Sequence, residues 1–362
     1  MVRILHIGLS YDYGGIESFV MNYFRAIDKE KYQFDFINPY DNPLAYTKDI
    51  MEMGGKIYYL PDFHKNPYKY KQTLEKIVKN YKIVHIHMLS AANMIPLKVA
   101  KKCGIDKIIV HAHNTKAEGK LRSILHYIQY KKICKLTNCM LACSVEAGKW
   151  MFGKKCSFDV MKNAILTENY EFSIEKRKKI RDELHIDENT IIYGNVGRLN
   201  VQKNQIFLIR IFYEIQQRNS DSVLCIVGIG EKEKEIRDLI NHLNIQNKVF
   251  MMGRRKDMDF IYNAFDVVIL PSLFEGLPIM LIEAQANGLK CYVSNRAVPQ
   301  ESKILDTFCF LDLEIGEKKW AEKILSDKNV RIVNAGNILR EKNYDITIES
   351  KKLENYYNRV ND

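Results

Sequence analysis

The sequence predicts an α/β protein built from two doubly wound parallel sheets. Short β-branched apolar runs alternate with helical patterns along the whole chain, the alternation breaks near residues 163–169 and restarts, and 362 residues exceed what one ordinary core supports. Parallel strands joined by right-handed crossovers follow from such alternation, and ligands of these sheets bind beyond the carboxyl ends of the strands. Chemistry is therefore expected in the loops that follow each strand.

In the first half, strands are expected at residues 3–9, 33–37, 83–87, 107–112 and 139–143, with helical spacing at 16–27 and 91–102. In the second half, strands are expected at 190–196, 223–227, 249–252, 267–270 and 291–294, with helices near 204–217, 232–243 and 278–287. The run Phe265-Asp-Val-Val-Ile-Leu270 has the composition of a strand at the centre of a parallel sheet. After it, Pro278 suits the first position of a helix and Gly288 the residue just past its last. The break places two domains at residues 1–167 and 168–345.

Composition narrows the class. A hydrophobic share of 46% with 27% charged residues is that of a soluble globular protein. No apolar run approaches the roughly 20 residues of a membrane span. The opening Met-Val-Arg-Ile-Leu-His-Ile-Gly-Leu reads as a first strand and not as a signal peptide. Eight cysteines without a C-x-x-C pair are expected to be reduced, mostly buried thiols of a cytoplasmic protein.

The formal charge of +11 is unevenly spread: residues 1–168 hold 26 Lys and Arg against 15 Asp and Glu, while the remainder holds 29 of each sign. One half is thus expected to meet an anionic surface, a nucleic acid or an acidic membrane leaflet. No nucleic-acid recognition module or base-stacking platform accompanies the charge, which leaves the membrane. Within residues 120–135, Leu121, Ile124, Leu125 and Ile128 recur at helical spacing among five basic residues. Such a helix either packs its apolar face on the core or lies on a membrane surface.

Five loops carry convergent polar chemistry. After the first strand, Gly14 and Gly15 open a helix and would let backbone approach a phosphate. After the strand at 190–196 come Arg198 and Lys203, two cations placed to stabilise charge on a departing diphosphate. Gly228 and Arg254 follow the next two strands, and neither loop completes G-x-G-x-x-G, so hydride chemistry loses support. The segment from Pro271 to Gly288 sets Glu275 at a tight turn and Glu283 two helical turns on, above unpaired N–H groups suited to phosphate. His85, His87, His111 and His113 alternate along two strands, which resembles metal-ligand spacing. No acidic or Cys partner lies near them, so structural histidines are expected, with His113 facing substrate and no metal held.

These residues resemble the retaining glycosyltransferases of the group 1 type. Glu275 and Glu283 have their E-x7-E spacing. The likeness extends through the Gly14-Gly15 loop, residues 110–115 and 142–146, the Asn163-Ala164-Ile165 junction, Gly197-Arg198 with Lys203-Asn204, and residues 227–231. The most similar subgroup is that of bacterial capsular and exopolysaccharide enzymes. Two departures stand out: Asn163-Ala164-Ile165-Leu166 replaces the usual Asn-Gly-Ile-Asp, and Ile229 stands where Asp is frequent.

The resemblance implies a GT-B fold, two Rossmann-like domains facing each other across a cleft, with the helix of residues 346–362 crossing back to the first. It implies an acceptor-binding first domain and a nucleotide-sugar-binding second one. Arg198 and Lys203 would hold the donor diphosphate, Glu283 the ribose, and Glu275 the sugar hydroxyls beneath the anomeric carbon. Gly276, Leu277 and Pro278 would touch phosphate and sugar, Gly228 would line the donor site, and Arg254 would border the base. Gly15, beside Gly14, would pass the diphosphate, and His113 would reach the sugar or the acceptor. The implied reaction moves a hexose or N-acetylhexosamine from a UDP-sugar, with retention and without metal or cofactor. Its acceptor would be a lipid-linked saccharide, and its place cytoplasmic, peripheral on the membrane. A sugar-nucleotide epimerase of the same fold and a non-catalytic partner subunit are the alternatives.

Overall fold

The structure, a computed structural model, describes residues 1–358. It forms two compact units, Met1–Ala164 together with the chain from Ile346 onward, and Ile165–Asp345. The first unit holds strands β1 (Val2–Ile7), β2 (Tyr32–Asn38), β3 (Ile57–Tyr59), β4 (Ile83–Met88), β5 (Lys107–Ala112), β6 (Cys139–Ala142) and β7 (Asp159–Val160). They lie in the order β3-β2-β1-β4-β5-β6-β7, every pair parallel. The second unit holds β8 (Ile191–Val196), β9 (Ser222–Val227), β10 (Val249–Gly253), β11 (Val267–Leu270), β12 (Lys290–Ser294) and β13 (Phe308–Leu311). Their order is β10-β9-β8-β11-β12-β13, again all parallel. In each sheet the direction of winding reverses beside the first strand, between β1 and β4 and between β8 and β11. Loops that follow those strands flank the gap where such sheets bind ligands.

Strand periodicity builds the second core. Cys225, Val268, Leu270, Cys291 and Val293 face one side of the sheet, where Ile261, Leu281 and Ala284 cover them. Their neighbours Leu224, Ile226, Val267, Ile269 and Tyr292 face the other, under Leu208, Phe212 and Trp320. The helix Ile279–Ala286 is buried at every residue, so no polar face shows in its sequence. Pro278 stands one position before it, as the N-cap, and Gly288 follows the C-cap Asn287 at φ +77°.

Several elements escape the sequence reading. β3 and β7 are edge strands of three and two residues, too short to show alternation. The helix Ile174–Leu184 is mostly charged, and its fully covered side chains are Ile180 and Arg181. Arg181 donates to the carbonyls of Asp187 and Thr190 and pairs with Asp266 at 2.7 Å. The expectation of eight reduced cysteines is corrected: the fold brings Cys134 and Cys156 to a Cα separation of 6.7 Å as a disulfide, and the other six are free. No helix among the described residues is long and apolar enough to cross a membrane.

The helix Ile346–Asn358 packs on the helix Gly15–Ala26 of the first unit. Buried Glu354 accepts from the Asp28 amide at 3.1 Å, and the buried Tyr357 hydroxyl meets His85 Nδ1 at 2.9 Å. Around that contact lies a stack of five imidazoles. His6 pairs in register with His85 and His87 with His111, and His113 follows at the end of β5. Phe19 covers the outer rings, 4.7 Å from His111 and 5.2 Å from His113. Burial penalises the charged imidazolium, so all five pKa values are lowered, that of His113 to about 3.

Below about pH 6.5 the unfolded chain therefore binds protons that the folded unit refuses, so stability present above that pH is lost as pH falls. Each histidine withdraws about 1.4 kcal/mol per pH unit. Trp150 and Trp320, the two tryptophans, report one unit each. In an acid titration of the Trp320→Phe and Trp150→Phe variants, the Trp150 signal is expected to unfold at the higher pH. Coincident transitions would contradict the burial of neutral imidazoles.

Candidate functional site

In the second unit the loops at the carboxyl edge are knitted into one rim. Gly197 N–H donates to the Val227 carbonyl at 2.9 Å, Leu199 N–H to Ile229 at 3.0 Å, and Gly228 N–H to Gly253 at 2.8 Å. Gly228 sits at φ +138°, and a Cβ there would lie 2.0 Å from the Gly197 carbonyl oxygen, so only glycine lets the two loops touch. The rim continues across the reversal between β8 and β11. Leu273 N–H donates to the Gln202 carbonyl at 2.8 Å, Gln202 Nε2 to Phe274 at 2.9 Å, and Asn204 Nδ2 to Pro271 at 3.1 Å. Asn204 takes the left-handed conformation at φ +55°, one that Asn tolerates better than most residues.

This scaffold joins Lys203 to Glu275. Lys203 Nζ lies 2.6 Å from Glu275 Oε1, with both side chains largely buried. Ser272 Oγ donates to the same oxygen at 2.7 Å and Gln202 Nε2 to the other at 3.3 Å. The carboxylate is thus held by a cation, a hydroxyl and an amide, its orientation fixed before any ligand arrives. Charged groups preorganised in this way cost no reorganisation when charge develops nearby.

Glu283 forms a second centre. Its Oε2 accepts from the buried Tyr262 hydroxyl at 2.7 Å and its Oε1 from Tyr170 at 3.1 Å. Burial raises its pKa, and the two phenols partly offset this. Each oxygen retains a lone pair, so the carboxylate can still accept hydroxyl groups. Arg198 is more exposed and reaches Glu231 at 3.3 Å, while its carbonyl accepts from the buried Gln205. Arg254 is exposed on the loop after β10. Gly276, Leu277 and Pro278 are buried in the turn between Glu275 and the helix Ile279–Ala286.

In the first unit Gly14 caps the helix Gly15–Ala26. Glu17 reaches back to accept from the Gly14 amide at 3.1 Å and from Ser10 at 2.7 Å, so that carboxylate already occupies part of the loop's donor set. Beside Gly15 a Cβ would meet no atom within 4 Å. Two histidine groups, His6 with His85 and His87, and His87 with His111 and His113, have ligand atoms within 4.8 Å of one another. Both ring nitrogens of His87 are already engaged, with His6 Nδ1 at 3.0 Å and with His113 Nε2 at 2.9 Å. We therefore read the cluster as hydrogen-bonded neutral rings.

Residues 176–304 match the family model described as "Glycosyl transferases group 1". A UDP-Gal:alpha-D-GlcNAc-diphosphoundecaprenol alpha-1,3-galactosyltransferase of Escherichia coli is 27% identical, over 81% of this chain and 79% of that one. EpsF of Bacillus subtilis is 29% identical, over 89% of this chain and 86% of its own. The chain is a glycosyltransferase, and its residues 176–304 are of the group 1 type. Its fold is GT-B: the solved structure of Anabaena Alr3699/HepE with UDP-glucose superposes with a TM-score of 0.81 at 16% identity, covering 99% of both chains.

Sequence reasoning names the charged residues of this glycosyltransferase but not their partners. Ser272, Gln202, Tyr170 and Tyr262 escape it because they are hydrogen-bonding residues with no motif of their own. Tyr170 lies 113 positions from the acid it serves. Arg198 pairs with Glu231, and Lys203 pairs with Glu275.

The histidine chain fixes a tautomer. A neutral imidazole carries one proton, so the bonds His6 to His87 to His113 must all run one way. Among the described residues His6 Nε2 is buried without a partner, and a buried lone pair left unpaired costs less than a buried orphan N–H. Protons therefore sit on Nδ1 of His6, His87 and His113, and His113 keeps Nδ1–H as a donor. Nitrogen-15 correlation spectra of the imidazoles are expected to show His113 as the Nδ1–H tautomer. An Nε2–H form would reverse the assignment.

Proposed function

We propose that this glycosyltransferase moves a hexose or N-acetylhexosamine from a UDP-sugar to a saccharide acceptor carried on a lipid diphosphate, in the assembly of capsular or exopolysaccharide. The observation that carries the reading is the Lys203–Glu275 pair, fixed on the rim where the second sheet reverses. Support for the donor comes from the UDP-glucose complex of HepE. The acceptor class is supported by the name of the E. coli galactosyltransferase, whose acceptor is a diphosphoundecaprenol saccharide. CapH of Staphylococcus aureus, a capsular polysaccharide biosynthesis glycosyltransferase 25% identical over 99% of both chains, supports the pathway class.

In this reading Lys203 keeps one N–H on Glu275 and turns another to the donor diphosphate, where Arg198 joins it. Backbone around Gly276, Leu277 and Pro278 meets phosphate and sugar. Glu283 takes ribose hydroxyls on the lone pairs its tyrosines leave, and Gly228 and Arg254 line the nucleotide. Glu275 accepts from sugar hydroxyls beneath the anomeric carbon. Gly15, beside Gly14, leaves open space at the first sheet, and His113 offers its N–H to a sugar or acceptor hydroxyl. The glycosidic C–O bond to diphosphate breaks through a short-lived oxocarbenium-like state. The acceptor oxygen then bonds the anomeric carbon on the face the diphosphate leaves, so configuration is retained, and its proton passes to a diphosphate oxygen. Fixed cations neutralise the leaving group, so no resident metal or cofactor is assigned. The reaction belongs at the cytoplasmic side of the membrane, with the enzyme peripheral to it.

Release of nucleotide from a panel of UDP- and GDP-sugars, with chelator present, tests this. Glu275→Ala is expected to lower turnover about 10²-fold or more, and Lys203→Ala less, with thermal melting showing both folded. Turnover that collapses in chelator, or survives Glu275→Ala, would overturn the mechanism.

A further inference from the structure

The helix Lys120–Gln129 is mounted with its apolar stripe outward. Leu121, Ile124, Tyr127 and Ile128 are 69%, 57%, 66% and 62% exposed, though their spacing is that of a face normally laid on a core. What faces inward is the polar pair His126 and Gln129, with Leu125 half-buried. His126 is buried, accepts from the Ala91 amide at 3.1 Å, and stacks on Trp150 at a ring separation of 3.9 Å. Gln129 Nε2 donates to the Ala92 carbonyl at 3.3 Å. These contacts fix the rotation of the helix, so the outward stripe is built in. The turns Tyr130–Lys132 and Ile133–Leu136 prolong the arm, Ile133 is buried, and the Cys134–Cys156 disulfide fastens its far end. Of the face expected from Leu121, Ile124, Leu125 and Ile128, Leu125 is half-buried and the other three are exposed, so packing of the whole apolar face on the core is corrected.

Charge indicates what covers the stripe. Lys116, Lys120, Arg122, Lys131, Lys132 and Lys135 are exposed along it, and no acidic residue occurs between Glu118 and Glu146. A second copy of the chain docked symmetrically here would press two basic rims together. An anionic lipid headgroup layer satisfies both features, taking apolar side chains at the acyl boundary and the cations at the phosphates.

We propose that this arm lies in the plane of an anionic lipid surface, with Leu121, Ile124, Tyr127 and Ile128 inserted and the lysines on headgroups. The proposal deepens the lipid-linked acceptor of the reading above and takes its purpose from it, but it stands on this surface alone.

Co-sedimentation of the full chain with vesicles of phosphatidylglycerol and phosphatidylethanolamine, against phosphatidylcholine alone, tests it. Binding is expected only to the anionic vesicles and to weaken with salt. Ile124→Asp with Ile128→Asp, and separately Lys131→Glu with Lys132→Glu, are each expected to lower it about tenfold or more. Both pairs are exposed, so folding should survive, and circular dichroism checks this. Nucleotide release from the donor alone should be unchanged in both, which separates failure here from failure of the transferase assignment. Wild-type-like binding by either variant, or no binding by the wild type, overturns the proposal. So does a wild-type dimer in sedimentation velocity that the Ile124→Asp, Ile128→Asp variant loses, since the stripe would then be a contact between copies.

Discussion

The second unit depends on one charge pair held on a hydrogen-bonded rim. Lys203 and Glu275 come from loops 72 positions apart, after β8 and after β11, which are neighbours only because the winding of the sheet reverses between them. A partly buried ammonium and carboxylate are costly to desolvate unless each has further partners. Here Ser272 and Gln202 supply them to the acid, and the Leu273 amide on the Gln202 carbonyl with the Gln202 side chain on the Phe274 carbonyl hold the two loops in register. The pair is therefore less a source of stability than a fixed geometry, which is what chemistry on a departing diphosphate needs. Glu283 follows the same logic with tyrosines in place of a cation.

The first unit solves a different problem with neutral groups. Five imidazoles packed in a core would repel if charged, and burial keeps them neutral. Neutral rings that bond to one another must agree on the direction of their protons, so a residue deep in the sheet, His6, settles what His113 presents at its end. The C-terminal helix contributes to the same stack through Tyr357, so the core of this unit is closed by residues distant in sequence.

How much was legible in the sequence follows from where each signal resides. The buried strands β1, β4, β5, β8, β9 and β11 announce themselves because a parallel strand covered on both faces is a continuous apolar run. Edge strands β3 and β7 do not, being too short, and the helix Ile174–Leu184 does not, because charge conceals its few covered positions. Glu275 and Glu283 are legible from their spacing around a glycine turn, but the residues that orient them are not. Serine, glutamine and tyrosine are common, and only the fold says which ones reach a given acid. The outward stripe on the helix Lys120–Gln129 was half legible: spacing gives the stripe, while its direction is set by His126 and Trp150, 24 positions apart in the chain.

Because the helix Ile346–Asn358 completes the unit begun by Met1, the two units are made in an order opposite to the one in which they can finish. During synthesis the early segment emerges with the surface around His85 and Tyr32 uncovered and must wait, while the contiguous stretch Ile165–Asp345 has all its strands in hand. A nascent chain would thus carry an apolar, imidazole-rich groove until the helix Ile346–Asn358 emerges. Deleting the helix Ile346–Asn358 would leave that groove open for good, a wound in the unit whose other residues lie farthest from the deletion along the chain.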